Sequence, residues 1–343
     1  MPESKSPQRA ARRGSGGVTI NDVAKLAGVS AITVSRALNM PAQVSPLTLA
    51  KVREAVSSTG YVPNLLAGGL ASNRSRLVAA LVPTIVGPVF LETIQALTAT
   101  LAEAGTQVML GQSGYANSRE DALIDAIIGR RPEGIVLTGI MHSPQGRKRL
   151  AASGIPIVET WDLCAEPIDM LVGFSHPKVG EAVANYLLDK GYKHPAIITA
   201  DDQRARQRST AFESTLRARG VAQVPVSVVP APTTLGDGRS GLAQLLAAHP
   251  EIDVVFGSSD LLAHGVITEA YARGLRIPQD LAVMGFGDLA FSAHLHQALT
   301  TVRIDGTSIG RQAARFILDR AAGRDTGPRI RDIGFTIVER KST

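Results

Sequence analysis

Hydroxyl, amide and guanidinium side chains are concentrated in one short stretch near the amino terminus, residues 30–39. If this stretch is a helix, its outward side chains are Ala31, Ile32, Thr33, Ser35 and Arg36, with Asn39 directly after them. Arg36 is the one of these that can make a bidentate contact to a guanine edge. A short exposed helix of this kind fits the major groove of duplex DNA, so the predicted chemistry is noncovalent recognition.

Three short helices are predicted to position this face. Thr19, with an acidic residue three positions later, is a capping pair that starts a helix, and Gly28 ends it. Ser30 and Ser45 are placed to cap two further helices, the last of which stops near Gly60. Two short helices separated by a tight turn are typical of a helix-turn-helix motif.

The charge of the chain is uneven. Residues 1–76 hold 10 Lys+Arg against 3 Asp+Glu, whereas the remaining 267 residues hold 26 against 27. A small basic module on a neutral body favours a polyanion-binding head joined to a sensor or catalytic domain. A solvated basic tail explains only part of the excess, because residues 18–76 still hold six basic side chains against two acidic ones.

Composition excludes several protein classes. With 44% apolar residues, 4% aromatic residues and the single Cys164, the chain is globular and has neither an aromatic platform for single strands nor a disulfide framework. Residues 1–17 are polar and basic, unlike a secretory signal. The longest uncharged apolar stretch has 15 residues, short of the roughly 20 that a membrane span needs. We therefore predict a cytoplasmic protein with no membrane partner.

Strand-like and helix-like segments alternate through the rest of the chain. The predicted strands are residues 77–82, 106–110, 134–138, 155–159, 196–200, 253–256 and 281–285, and helices include 118–130, 178–190, 206–219 and 261–273. This alternation predicts parallel, doubly wound α/β sheets, and about ten such units fit two sheets rather than one. In such folds a ligand binds at the carboxyl ends of the strands, which in a two-lobed protein means the cleft between the lobes.

Four segments, 19–30 (TINDVAKLAGVS), 33–39 (TVSRALN), 44–45 (VS) and 60–64 (GYVPN), resemble the DNA-binding head of the LacI/GalR family of transcriptional repressors. The resemblance implies base readout by Ala31, Ile32 and Arg36, and contacts to phosphates by Ser30, Thr33, Ser35 and Asn39. Thr19, Ile20 and Asn64 complete this part of the implied DNA-contacting set.

Residues 64–71 match the family hinge, which folds into a short helix on the operator. Leu70 stands where the family inserts a leucine wedge into the minor groove. Gly68 and Gly69 replace the commoner Gln-rich or Ser-rich hinge, and each costs about 1 kcal/mol of helix stability relative to alanine. A plain linker with a buried leucine is the alternative.

Residues 77 to about 338 resemble the family body, which is built like periplasmic sugar-binding proteins. Arg208 matches the arginine that the family places on a sugar hydroxyl or an effector carboxylate. Asp260 matches the acid of an Asn-Asp pair in which Ser259 replaces the Asn, and Asp288 stands where many members carry two acids. The loops that follow the strands add five candidates: Phe90, Tyr115, Thr138, Glu159 and Trp161. The alternatives are wall packing for the two large rings and a structural ion pair for Glu159.

The segments 111–115, 123–128, 158–160, 172–174 and 332–335 look closest to the gluconate-operon repressor branch. This similarity implies a sugar-acid effector such as gluconate. An anionic polyol needs one fixed cation and several hydroxyl partners, which Arg208, Ser259, Asp260 and Thr138 could supply. A purine or a neutral sugar, acting as effector or corepressor, is the alternative.

Enzyme and transport functions find little support. Residues 236–241 match G-x-G-x-x-G but do not directly follow a strand, so we interpret them as a loop that opens a helix at 242–248. His294 and His296 lack a third metal ligand nearby, and Cys164 is interpreted as a packed small hydrophobe. No catalytic residue, metal or cofactor is predicted. The alternative of a solute-binding protein with an accidental basic leader would require a signal peptide, which residues 1–17 do not resemble.

Together these observations predict an α plus α/β protein, in which a three-helix helix-turn-helix head precedes a two-lobed, doubly wound body like that of periplasmic binding proteins. Residues 1–17 form a basic disordered leader, 18–63 the DNA-binding domain, 64–74 the hinge and 75–343 the effector-binding and dimerisation domain. The predicted function is a homodimeric repressor of a sugar-acid catabolic operon, released from operator DNA by its effector.

Overall fold

The computed structural model describes residues 17–62, 75–114, 117–140 and 143–343. The predicted leader, up to residue 16, and the predicted hinge lie outside the described residues. The chain divides into two compact units, Met1–Arg74 and Ser75–Thr343. Within the described ranges, none of the helices is both long and apolar enough to cross a membrane.

Three helices make up the described part of the first unit: α1 (Ile20–Ala27), α2 (Ala31–Asn39) and α3 (Pro46–Thr59). α1 and α3 begin and end at the capping residues that the sequence indicated, and α2 begins at its predicted cap, Ser30. Gly28 ends α1 with φ 66°, a left-handed conformation that favours glycine. Val23, Val34 and Val52 are fully buried where the three helices meet, one from each helix.

Two six-stranded sheets form the framework of the second unit. The first lobe contains β1 (Leu77–Val82), β2 (Gln107–Gln112), β3 (Gly134–Thr138), β4 (Ile157–Thr160), β5 (Met170–Gly173) and β11 (Ile330–Asp332). The second contains β6 (Pro195–Ala200), β7 (Val226–Val229), β8 (Val254–Gly257), β9 (Ala282–Phe286), β10 (Thr300–Arg303) and β12 (Thr336–Val338). The strand orders are β11-β5-β4-β3-β1-β2 and β12-β10-β9-β8-β6-β7. Neighbouring strands are parallel except β10 and β12.

Helices connect most of these strands. They are α4 (Leu91–Glu103), α5 (Asn117–Ile128), α6 (Pro144–Ala152), α7 (His176–Asp189), α8 (Gln203–Ala218), α9 (Leu235–Ala248), α10 (Asp260–Ala272) and α11 (Gly306–Ala321). The chain passes between the lobes three times: after β5, after β10 and after β11. The predicted fold class, a helix-turn-helix head followed by a two-lobed parallel α/β body, is confirmed.

The interpretation of the G-x-G-x-x-G segment as a loop is wrong. Thr234 caps α9, which begins at Leu235, so the segment lies inside this helix. Its glycines allow close packing. A Cβ at Gly238 would lie 2.2 Å from the carbonyl oxygen of Leu262, and one at Gly265 would lie 2.1 Å from that of Leu235. Backbone contact between α9 and α10 therefore requires glycine at both positions.

Candidate functional site

The outer face of α2 is held in place by the buried side of the same helix. Val34 and Ala37 pack in the core of the first unit, whereas Ile32 is 70% exposed and Arg36 is exposed. Ala31 is half-buried and contacts that core. An apolar side chain as exposed as Ile32 contributes little to folding, so it is available for contact with another molecule.

Hydrogen bonds fix both ends of α2. The Ser30 hydroxyl accepts from the backbone N–H of Thr33 at 3.1 Å and lies 2.9 Å from its hydroxyl. At the other end, the Asn39 amide donates to the carbonyl oxygen of Ser35 at 2.9 Å. These polar side chains lie on or near the surface and retain lone pairs or protons for a ligand.

Two further predicted contact residues lie at the start of α1. The hydroxyl of Thr19 donates to Asp22 at 2.7 Å, and this capping box lowers the pKa of Asp22 through hydrogen bonds from Thr19. Ile20 is half-buried against the core of the first unit. Asn64 and Leu70 lie outside the described residues.

The second unit contains a cleft between its two lobes, with about 770 Å³ of space not filled by protein atoms, open solvent included. One side comes from loops that follow β1 and β4, and the other from loops that follow β6, β7, β8 and β9. The cleft therefore lies at the carboxyl ends of the strands, where parallel α/β folds bind ligands.

Five predicted effector-binding residues line this cleft together: Phe90, Trp161, Arg208, Ser259 and Asp260. Thr138 ends β3 and is outside the cleft lining, as are Glu159 and Asp288. Tyr115 lies outside the described residues.

Two of the residues outside the lining have partners elsewhere. Glu159 is fully buried, pairs with Arg147 at 3.2 Å and accepts a hydrogen bond from the backbone N–H of Ile168. This is the structural ion pair that was the alternative interpretation of Glu159. Asp288 pairs with Arg340 at 2.7 Å.

Aromatic rings form one wall of the cleft. Phe90 and Trp161 meet edge to face with their centroids 5.1 Å apart, and Trp161 meets Phe174 behind it at 5.8 Å. The indole N–H of Trp161 donates to the Thr93 hydroxyl at 2.9 Å. Such packing holds the wall rigid and presents a flat apolar surface, which suits the carbon face of a sugar or a planar ring.

Arg208 is almost fully buried on the opposite side. Its guanidinium donates to the carbonyl oxygen of Ser258 at 3.0 Å and lies 2.9 Å from Nδ1 of His176. Its Cζ is 4.0 Å from the centre of the Phe286 ring. These contacts fix a permanent positive charge at the cleft wall.

His176 is a neutral acceptor beside this charge. Burial is the main cause that lowers the pKa of His176 well below its usual 6.5, and repulsion from the charges of Arg208 and Arg204 lowers it further. Because a guanidinium only donates, Nδ1 must accept from Arg208, so the proton is on Nε2, which is 2.9 Å from the carbonyl oxygen of Trp161. One imidazole thus joins an arginine of the second lobe to a strand end of the first.

Asp260 lines the cleft, but both its carboxylate oxygens accept hydrogen bonds from the protein. Thr301 donates at 2.6 Å to one oxygen, and Ser292 and the backbone of Leu289 each donate at 2.8 Å to the other. Burial raises the pKa of Asp260 despite these bonds. Its neighbour Ser259 caps α10 by accepting from the backbone N–H of Leu262 at 3.3 Å.

Sequence reasoning missed the titratable cleft residues His176, Asp202 and Arg204, and also the hydroxyl-bearing Thr84, Thr233 and Ser258. Arg204 precedes Arg208 by four residues on α8, a spacing that places two side chains on one helix face and was a usable signal. Among the described residues, no group of three or more His, Cys, Asp or Glu could hold a metal ion.

A helix-turn-helix unit followed by a two-lobed body with a polar cleft defines the class of DNA-binding regulators that carry a ligand site. Residues 19–64 match the family of bacterial regulatory proteins, lacI family, and residues 184–343 match the periplasmic binding protein-like domain. The chain is 38% identical, over 96% of its length and 97% of the relative's, to the HTH-type transcriptional regulator GntR of Pseudomonas aeruginosa.

Solved structures agree with this match. A LacI-family regulator from Silicibacter pomeroyi has a TM-score of 0.89 and 31% identity, covering 95% of this chain and 99% of that one. The lac repressor dimer bound to operator, at 22% identity and a TM-score of 0.80 over 95% of this chain and 99% of that one, shares the fold. The chain belongs to the LacI family of transcriptional regulators. It is a DNA-binding transcriptional repressor and not an enzyme.

Proposed function

We propose that the protein represses a sugar-acid catabolic operon and leaves its operator when a sugar acid such as gluconate binds the cleft. The observation that carries the effector assignment is the pair of arginines, Arg204 and Arg208, in a cleft walled by aromatic rings. An anionic polyol needs such cations together with a flat apolar surface. The GntR name of the Pseudomonas relative supports the same effector class.

The operator is read by α2. Arg36 contacts a guanine, and Ala31 and Ile32 contact thymine methyl groups. Phosphate contacts by Ser30, Thr33, Ser35 and Asn39 position the helix. Thr19 and Ile20, at the start of α1, complete the DNA-contacting set of the first unit. Asn64 and the wedge residue Leu70 act in the hinge, residues 64–74, which links the DNA-binding residues 18–63 to the body, residues 75–343.

The working species is a homodimer in the cytoplasm. One three-helix head offers few contacts, and a two-fold pair on a pseudo-palindromic site raises the effective concentration of the second head. The lac repressor, which shares the fold, was solved as a dimer bound to its operator, and this supports the same assembly here. An effector that binds one arrangement of the lobes more tightly shifts the dimer away from the DNA-binding state.

Operator binding and effector release test this proposal in one assay. The full chain is incubated with random duplexes, the bound ones are enriched and sequenced, and the best site is labelled for fluorescence anisotropy. We expect a pseudo-palindrome whose affinity falls steeply with salt. D-gluconate, glucose and guanine are then titrated against the complex. Release by gluconate supports the sugar-acid effector, and a response to glucose or guanine alone refutes it in favour of the neutral-sugar or purine alternative.

A further inference from the structure

Arg204 lines the cleft, and one nitrogen of its guanidinium has no acceptor within the described part of the chain. Its Nη1 atom is buried and makes no hydrogen bond to any residue that the structure describes. Its Nε lies 3.9 Å from the Asp202 carboxylate, at the outer limit of an ion pair. The guanidinium carbon lies 5.3 Å from the centre of the Phe90 ring, across the cleft. A buried guanidinium N–H without an acceptor is costly, so the site is incomplete without one.

Gly139 of the first lobe lies beside this guanidinium. A Cβ at this glycine would lie 3.5 Å from Nη1 of Arg204. Gly139 has φ 106°, and its N–H donates to the carbonyl oxygen of Thr160 at 2.7 Å, so its backbone position is fixed. Arg204 lies in the first turn of a helix of the second lobe, whereas Gly139 follows β3 of the first, so this guanidinium lies where the two lobes meet.

The nearby carboxylates are already engaged by protein donors. Asp202 caps α8 by accepting from the backbone N–H groups of Arg204 and Ala205. Both oxygens of Asp260 accept internal hydrogen bonds. Burial raises the pKa of Asp162, which disfavours its charged form. Because these carboxylates have partners within the protein or a disfavoured charged form, the positive cleft favours a ligand that brings its own carboxylate.

We propose that Arg204 binds the carboxylate of the effector and thereby selects sugar acids over neutral sugars. This inference rests on the proposed function, because it assigns a residue to the acid group of that effector class. The guanidinium of Arg208 is held in the cleft wall by His176 and Ser258. Arg204 supplies the hydrogen-bond donor that distinguishes a sugar acid from its neutral analogue.

The test compares D-gluconate with D-gluconamide, which keeps the hydroxyl groups and replaces the carboxylate with a neutral amide. Binding of each to the full chain is measured by calorimetry. A charge-assisted hydrogen bond predicts that the wild type prefers gluconate by about 10- to 100-fold. Arg204→Gln should bring this ratio close to one and change the affinity for gluconamide by less than about twofold. Arg204→Lys, which retains the charge, should keep part of the preference.

Arg206→Gln is the matched control, because Arg206 is exposed on the same helix and is not part of the cleft lining. It should keep the wild-type ratio. An unchanged ratio in Arg204→Gln, or an equal loss of affinity for both ligands, overturns the role of Arg204 while the sugar-acid effector stands. A wild type that binds neither ligand overturns the effector assignment and this inference with it.

Discussion

The neutral state of His176 makes the stability of the second unit depend on pH. Burial and the two cleft arginines lower the pKa of His176 in the fold, whereas in the unfolded chain it titrates near 6.5. Below pH 6.5 the unfolded chain therefore binds a proton that the folded protein does not, and the free energy of unfolding decreases as the pH is lowered. One unit below 6.5, at pH 5.5, the linkage relation gives a loss of about 1.4 kcal/mol from this residue.

His176→Asn isolates this contribution. Asparagine keeps an acceptor near the position of Nδ1 for Arg208 and does not titrate. We expect urea denaturation to show that the wild type loses about 1.4 kcal/mol more than the variant between pH 7.5 and 5.5. His264, whose pKa burial also lowers, and Asp260 are present in both proteins, so their contributions cancel.

The exposed His294 provides the control for this experiment. His294→Asn should follow the wild-type pH dependence. Equal slopes for the wild type and His176→Asn would show that His176 takes up its proton over the same pH range in the fold as in the unfolded chain. The hydrogen-bond assignment between Arg208 and Nδ1 would then be refuted.

Three further predictions concern single side chains. Arg36→Ala should reduce the discrimination at one base pair of the operator by about 1–3 kcal/mol, as measured by competition binding to operator variants. The unfolding temperature of this variant should equal that of the wild type. Ser30→Ala removes the cap on the backbone N–H of Thr33, and thermal unfolding of the full chain should show a loss of about 0.5–2 kcal/mol in the first unit. A Cβ at Gly173 would lie 1.9 Å from the carbonyl oxygen of Asp162. Gly173→Ala should therefore cost at least about 1–3 kcal/mol in denaturant titration, and an unchanged midpoint would contradict this contact.

The helices of the first unit could be predicted from the sequence because their ends are fixed locally. A hydroxyl cap and a left-handed glycine lie within a few residues of the groups they satisfy, so Thr19, Gly28, Ser30 and Ser45 marked the helix ends. In the second unit, long apolar strands were equally visible. The strands β5, β7, β10, β11 and β12, with three to four residues each, were not predicted. Runs this short give a weak pattern, and β11 in addition pairs with β5, far earlier in the chain.

The cleft was only partly predictable for the same reason. The alternation of strands and helices placed Phe90 and Trp161 in loops after strands, the family resemblance indicated Arg208, and all three line the cleft. No local pattern indicates that Glu159 turns toward Arg147, or that the oxygens of Asp260 are taken by donors 29 to 41 residues away. Such partners are fixed only when the strands assemble.

The facing glycines of α9 and α10 have a mechanical consequence. Where Gly238 and Gly265 bring two backbones into contact, no layer of side chains remains that could repack or slide. These helices and the sheet beneath them are therefore expected to respond to force as one stiff body. Occupation of the cleft would then be transmitted as a rotation of this whole body about the three chain crossings, and the strain would concentrate in those few connecting residues.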